Sequence, residues 1–441
     1  MLPLILFPIF GIATYIFYRT NPGGRITQNN VKKIKTITDE LCDSAEDSKK
    51  LLNDYPEISG LGNYLINAGN YVSYTNSTVK YFQNGETFYP DFFEEIKNAK
   101  KYIFIEFFII AVDESWTTLV KLLEEKVNQG VEVRVLYDGL GSTMMSTHYY
   151  EKYLESKGIK TRIFLPLIPF LSTQLNNRNH RKIVIIDGKI SYTGGLNIKN
   201  EYFNLGDNRF AYWKDNGIKI QGPAIKTLLM LFLQDWNLNN SKPDNFETYL
   251  KTDFQFQSAK GIVIPYGDDA YNNADIAEDV YLSILKNAKK YVHITTPYLL
   301  LDNQLQNALI LTARSGVEVS LVVPSKADHL LTFCIGKTYL KTLINAGVKV
   351  YLYNKGFIHA KTFISDDVTA TVGTVNLDYR SLYHHFECGV VMHYLPVISD
   401  IEKDFQDTLK DCTQMFPEDY KKIPKRYRFL GRLFRIFAPL M

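Results

Sequence analysis

The chain has 441 residues, 46% of them hydrophobic and 22% charged. That balance excludes a disordered or fibrous chain and leaves room for two domains with full cores. A net charge of +3 is unremarkable, and four scattered cysteines (Cys42, Cys334, Cys388 and Cys412) show neither zinc spacing nor a secreted disulfide framework, so a reducing environment and no metal are expected.

Residues 2–18 carry no charge, and Arg19, Arg25, Lys32, Lys33 and Lys35 follow. Seventeen apolar residues reach the lower limit for a membrane span. The basic flank predicts a membrane-anchoring helix over 1–20, with the remaining chain on the cytoplasmic side. A cleaved signal peptide is the rival reading, and it lacks a basic leader and a small-x-small cleavage site. Residues 21–75 read as a linker with a helical segment.

The first catalytic domain is expected over 76–240. Its pattern predicts a helix over 93–101, a buried strand over 102–110, an amphipathic helix over 117–129 and a strand over 131–138. This spacing implies an α/β fold, a mixed sheet flanked by helices. Next comes His180-Arg181-Lys182, an apolar run to Ile186, then Asp187-Gly188 and Thr193-Gly194-Gly195-Leu196-Asn197. Asp187-Gly188 predicts a hairpin with a two-residue turn. His180 and Lys182 would share one side of the first strand, opposite Gly194 and Gly195. Glycine there lets a ligand approach the backbone. An imidazole, an ammonium and the Asn197 amide around that space suit a tetrahedral anion such as phosphate.

A polar stretch around 241–254 reads as an interdomain linker. The second domain, 255–415, repeats the first. His359, Lys361, Asp366, Gly373 and Asn376 lie 179 residues beyond His180, Lys182, Asp187, Gly194 and Asn197. Asn-Ala-Lys-Lys-Tyr at 98 returns at 287, and Gly-Val-Glu-Val at 130 returns at 316. One such motif is weak, because its residue types are common. Two in register, with the flanking phrases in the same order, predict an internal duplication and one reaction centre built from two halves. At the end, 416–441 reads as a basic amphipathic helix. Phe429, Leu430, Leu433, Phe434, Ile436 and Phe437 would form one face, with Lys425, Arg428, Arg432 and Arg435 opposite. That pattern fits a helix lying on anionic lipid. Packing on the protein's own surface and binding nucleic acid are the alternatives.

These residues carry a resemblance. Asn179-His180-Arg181-Lys182 through Asn197, and His359-Ala360-Lys361 through Gly373-Thr374-Val375-Asn376-Leu377-Asp378-Tyr379-Arg380-Ser381, resemble the paired HKD motifs of the phospholipase D superfamily. They are most similar to those of bacterial cardiolipin synthases. The resemblance implies two tandem phospholipase D-like domains related by pseudo-twofold symmetry. It also implies phosphatidyl transfer between two phosphatidylglycerols at the cytoplasmic membrane, giving cardiolipin and glycerol, with no cofactor and no nucleic-acid partner. Hydrolysis of a lipid, or less readily a nucleic-acid, phosphodiester is the alternative.

The motif set is His180, Lys182, Asp187, His359, Lys361 and Asp366. His180 is assigned as nucleophile, forming a phosphohistidine, and His359 as acid and base. Lys182, Lys361, Asn197, Asn376, Gly195 and Thr374 would surround the phosphate. The hairpin puts Asp187 and Asp366 at the turns, where closing the turn and pairing a nearby cation is their expected role. Family position suggests Asp215 behind His180 and Glu387 behind His359. The chain departs from the family at Asn216-Gly217, where Thr-His is common, and at His384-His385, where an apolar residue and Asn are usual.

Overall fold

The computed structural model describes residues 22–166, 176–240, 242–251 and 259–440. The anchoring helix expected at 1–20 lies outside them. Among the described residues no helix is long and apolar enough to cross a membrane.

The chain enters through three helices, Pro22–Asp39, Ala45–Leu52 and Pro56–Gly69. They are not a linker. Lys35 pairs with Asp269 at 2.7 Å, and Tyr74 bridges to Val263 of the second half.

Strands β1 (Thr78–Phe82), β2 (Tyr102–Phe107), β3 (Glu132–Asp138), β4 (Lys160–Phe164), β5 (Ile183–Ile186), β6 (Ile190–Gly194), β7 (Trp213–Lys214) and β8 (Gly217–Gln221) belong to the first half. All but β7 form a seven-stranded sheet, ordered β1-β8-β6-β5-β2-β3-β4. Its β2, β3 and β4 are parallel and the other neighbours antiparallel, so the expected mixed sheet is found. Helices Gly85–Asn98 and Glu114–Asn128 flank it. The first starts eight residues before the expected 93, because Asn84 caps it by accepting from the Thr87 amide. Strand β2 stops at Phe107, short of the expected 110.

The second half repeats this order with β9 (Ile262–Asp268), β10 (Tyr291–Thr295), β11 (Glu318–Pro324), β12 (Lys349–Tyr353), β13 (Phe357–Ile358), β14 (Thr362–Ser365), β15 (Thr369–Gly373), β16 (Glu387–His393) and β17 (Cys412–Met415). Its eight-stranded sheet runs β17-β12-β11-β10-β14-β15-β16-β9. The duplicated motif therefore occupies equivalent hairpins, β5–β6 and β14–β15.

Each hairpin turn has three residues rather than the expected two. Ile186 pairs with Ile190, and Ser365 with Thr369. Asp187 and Gly188 take φ of 55° and 67°, left-handed values that Asp and Gly tolerate best. The wider turn shifts the register by one, so Ile183 faces Thr193. Its cause is visible. The Asp187 carboxylate turns to accept the backbone amides of Lys100, Lys101 and Tyr102 at 2.6–2.9 Å. Asp366 does the same for Lys289, Lys290 and Tyr291 at 2.7–2.8 Å. Both aspartates tie the turn to the start of the neighbouring strand, and their partners are amides rather than the expected side-chain cation.

The halves share one core. Helix Ile225–Asn237 is buried along most of its length and packs on β5 and β6 of one sheet and β9 of the other. Phe104, Ile185 and Phe232 fall in the same apolar cluster as Ile264, Ile294 and Val390. Burying each such side chain contributes about 1.5–3 kcal/mol, so the halves stabilise one another. The expected linker is in part structured. Glu247–Leu250 is a short helix, and Asp244 accepts from Arg134 at 2.5 Å.

Two short pairings cross between the halves. β13 lies parallel to β7, matching Phe357 with Trp213 and Ile358 with Lys214. Asn179 bridges in parallel to Phe386. The C-terminal helix is Lys425–Phe434, followed by a 3-10 turn over Arg435–Leu440.

Candidate active site

The crossing strands decide what stands behind each histidine. The His180 amide donates to the Phe386 carbonyl at 2.8 Å, and the His359 amide to the Lys214 carbonyl at 2.7 Å. Each histidine is thereby set beside the residue that follows its partner strand. His180 Nδ1 lies 2.9 Å from both carboxylate oxygens of Glu387. His359 Nδ1 lies 2.6 Å from Asp215 Oδ2. This reverses the expected assignment, in which Asp215 stood behind His180 and Glu387 behind His359. Each imidazole is held by a carboxylate of the other half. The expectation failed because it kept each carboxylate with the histidine of its own sequence repeat.

Both carboxylates are fully enclosed. Burial pushes the Glu387 carboxyl up, but His180 outweighs it and leaves Glu387 well below the usual range. Asp215 is likewise lowered against burial, chiefly by His359 and Lys361. Burial lowers His180 to about 3, with the Lys182 charge adding to it. Burial and Lys361 lower His359 to about 4. Each histidine is thus a neutral imidazole beside an ionised carboxylate at neutral pH. Nδ1 carries the proton and donates it, which leaves Nε2 with its lone pair.

Gly195 and Thr374, equivalent in the repeat, complete the carboxylate supports. A Cβ on Gly195 would sit 2.0 Å from Asp215 Oδ1, so only glycine lets Asp215 come this close. In the other half the Thr374 hydroxyl donates to Glu387 Oε2. Neither residue lines the cavity described below, so the expected direct phosphate contact becomes support from behind. The Lys182 ammonium donates to the His180 carbonyl at 2.6 Å. That of Lys361 donates to the His359 carbonyl and lies 2.9 Å from His359 Nδ1. Both lysines are buried beneath the histidines.

His180, His359, Asn197 and Asn376 open onto one cavity of about 850 Å³. This joins four of the predicted residues, two from each half. The Asn197 Oδ1 accepts from the Ile109 amide at 3.0 Å. Its Nδ2, and the Asn376 Oδ1, have no hydrogen-bond partner among the described residues. Asp187 and Asp366 do not line the cavity.

Sequence reasoning missed several wall residues. Phe108 lies edge-on to His180 at 5.2 Å, and Tyr298 edge-on to His359 at 6.4 Å. They follow β2 and β10, so the duplication carried a signal that was not used. Also missed was the buried cluster beneath the first motif. Arg181 donates to the Glu387 carbonyl at 3.0 Å and to Asp235 at 2.7 Å. Asn179 donates to Glu106 at 2.6 Å. Burial and the adjacent Asp235 push Glu106 well up. Arg181 anchors the strand that presents Glu387.

Comparison with known proteins identifies the family. The family model described as "Cardiolipin synthase, PLD-like domain" matches residues 92–236 and 281–409. The cardiolipin synthase of Geobacillus kaustophilus is 34% identical over 81% of this chain and 71% of its own. Cardiolipin synthase 1 of Staphylococcus aureus is 31% identical over 99% of this chain and 90% of its own. Among solved structures, the phosphatidylserine synthase of Haemophilus influenzae superposes with a TM-score of 0.66 at 16% identity, covering 87% of this chain and all of its own, which speaks for the fold alone. With its motif pair in two equivalent hairpins and its family match across most of both halves, the chain belongs to the cardiolipin synthase family of the phospholipase D superfamily.

Proposed function

We propose that the protein is a cardiolipin synthase that moves a phosphatidyl group from one phosphatidylglycerol to the hydroxyl of another, releasing glycerol. The observation that carries this reading is the pair of neutral imidazoles, each backed by a carboxylate of the opposite half, opening onto one cavity.

Phosphodiesters resist attack because the phosphorus is shielded by negative charge and the alkoxide leaves poorly. The Nε2 lone pair of His180 attacks phosphorus, and the bond to the glycerol oxygen breaks. His359 takes up a proton from solvent on Nε2 as the phosphate anion binds beside it, and gives that proton to the leaving oxygen. A second phosphatidylglycerol then enters. His359 takes the proton from its hydroxyl, the oxygen attacks the phosphohistidine, and His180 is regenerated. Glu387 stabilises the positive charge that develops on His180 during attack, and Asp215 stabilises protonated His359. The amides of Asn197 and Asn376 hold the non-bridging oxygens, with the charges of Lys182 and Lys361 beneath them.

The cavity mouth suits a membrane surface. Met144, Leu330 and Leu331 line it and are exposed. Helix Lys425–Phe434 runs parallel to helix Leu330–Asn345, with Tyr427 against Phe333, Gly431 against the Cys334 carbonyl and Arg435 over Tyr339. Its apolar face is split. Leu430 and Phe434 are half-buried, while Phe429, Leu433, Ile436 and Phe437 are exposed. Packing on the protein's own surface therefore accounts for part of that face. The parallel course places exposed Lys425 and Arg426 at the end nearest the exposed leucines of the mouth. Cations beside apolar side chains fit an anionic bilayer.

The test is the full chain with phosphatidylglycerol vesicles as sole substrate. Cardiolipin and glycerol in equal amounts are expected, with binding to these vesicles stronger than to phosphatidylcholine vesicles. Phosphatidic acid as the main product would favour hydrolysis and contradict transfer.

A further inference from the structure

The mechanism leaves two histidines of the cavity unused, the exposed His329 and the largely buried His385. His385 lines the same cavity, and its side chain is nine-tenths buried. Its ring lies 5.5 Å from that of His180 and 6.3 Å from that of Phe108. Its Nδ1 has no hydrogen-bond partner among the described residues, and the nearest carboxylate atom, Glu387 Oε1, stands 3.6 Å away. That distance is too long for a hydrogen bond and short for two unconnected groups.

We propose that His180, His385 and Glu387 form a site for a divalent ion of zinc type, and that filling it switches the enzyme off. One donor atom from each of the three residues lies within 4.8 Å of the others. Glu387 Oε1 is 2.9 Å from His180 Nδ1 and 3.6 Å from His385 Nδ1. With metal–ligand bonds of about 2.0–2.1 Å, tetrahedral donors stand about 3.3–3.4 Å apart, between those two separations. Two imidazoles and a carboxylate are the donor set zinc prefers in open sites. The other Glu387 oxygen keeps its bond from the Thr374 hydroxyl, which orients the carboxylate.

The consequence for chemistry follows from proton bookkeeping. Without metal, His180 carries its proton on Nδ1, donates it to Glu387 and has a free lone pair on Nε2. A metal on Nδ1 displaces the proton there and binds through that nitrogen's own electron pair, and the proton moves to Nε2, where it occupies the lone pair. No proton is released or gained, but the nitrogen that must attack phosphorus now bears hydrogen. His180 is silenced by the exchange of a proton for a metal at its far side. The ammonium of Lys182, held on the His180 carbonyl, opposes the metal's charge and keeps the site reversible.

The experiment reads binding and turnover separately. The metal-free full chain in neutral detergent micelles is titrated with Co²⁺, following the visible absorption of a tetrahedral cobalt centre, and the cobalt is displaced with Zn²⁺. Turnover of phosphatidylglycerol is measured across the same zinc range and after chelation. One cobalt per chain is expected, displaced by zinc, with loss of turnover tracking occupancy and restored by the chelator. His385→Asn and His385→Gln, checked for folding by circular dichroism, should each bind cobalt more weakly by at least the about 10- to 100-fold that losing an outer-shell partner costs. An absent cobalt band in the wild-type chain would overturn the site. So would a band that both variants retain. Inhibition that persists in variants without the band would place zinc elsewhere and overturn the switch. The cobalt readout needs no turnover, so failure of the proposed activity and failure of the site are distinguishable.

Discussion

The crossed pairing of histidines and carboxylates can be tested as an energy. His180 Nδ1 and Glu387 meet at 2.9 Å, and His359 Nδ1 and Asp215 at 2.6 Å, all buried. A hydrogen bond to a charged partner is worth about 1.5–3 kcal/mol. In a double-mutant cycle on unfolding, His180→Asn with Glu387→Gln should show coupling of about that size, and so should His359→Asn with Asp215→Asn. The same-half cycles, His180→Asn with Asp215→Asn and His359→Asn with Glu387→Gln, remove no direct contact. Residues without a shared contact usually add within about 0.5 kcal/mol. Urea titration of the full chain in neutral micelles, followed by fluorescence, gives all four cycles, because the halves share a core and unfold together. Larger coupling within halves than across them would refute the crossed arrangement and the reciprocal mechanism built on it.

Three further outcomes follow. Gly195→Ala pushes a methyl to within 2.0 Å of Asp215 Oδ1; overpacking of this kind costs about 1–3 kcal/mol, and turnover should fall with stability because Asp215 must move off His359. Unchanged kcat would contradict the close approach. Asp366→Ala removes three amide partners outside the cavity; melting should show a loss of about 2–4 kcal/mol, while kcat of the folded fraction is retained. A stable but inactive variant would give Asp366 a chemical role. Burial holds Lys182 down to about 7 and Lys361 to about 8. A lysine is neutral above its pKa, so the charge that attracts phosphate is lost as pH rises through that range. Tungstate affinity should therefore fall above pH 8, and calorimetry in two buffers should show proton uptake on binding at that pH. Affinity that stays flat from pH 6 to 9 would refute the role of the lysines.

Local pattern carried most of the architecture. The apolar run at Ile183–Ile186 and the Asp187-Gly188 signal were enough to place a hairpin, and the offset of 179 was enough to place its twin. The turn length was not legible. Asp187 is drawn to amides 85 to 87 residues away in sequence, and that long-range attraction sets the register. The assignment of carboxylates failed for a related reason. Which carboxylate meets which imidazole depends on β7 meeting β13 and on Asn179 meeting Phe386, contacts between halves that no within-repeat spacing encodes. His385 was visible as a departure from the family, but its distance from Glu387 exists only in the fold. The exposed apolar residues of the C-terminal helix were legible, whereas its docking on helix Leu330–Asn345 depends on Gly431 fitting against the Cys334 carbonyl.

In the proposed reaction two imidazoles from different halves act on one phosphorus atom. Its most direct test is to quench the enzyme during turnover of phosphatidylglycerol labelled in the phosphate and to map the labelled peptide. The label should sit on His180, vanish in His180→Ala, and remain there in His359→Ala when the substrate carries a leaving group that needs no protonation. Label on a residue outside the cavity, or full turnover in either variant, would contradict it.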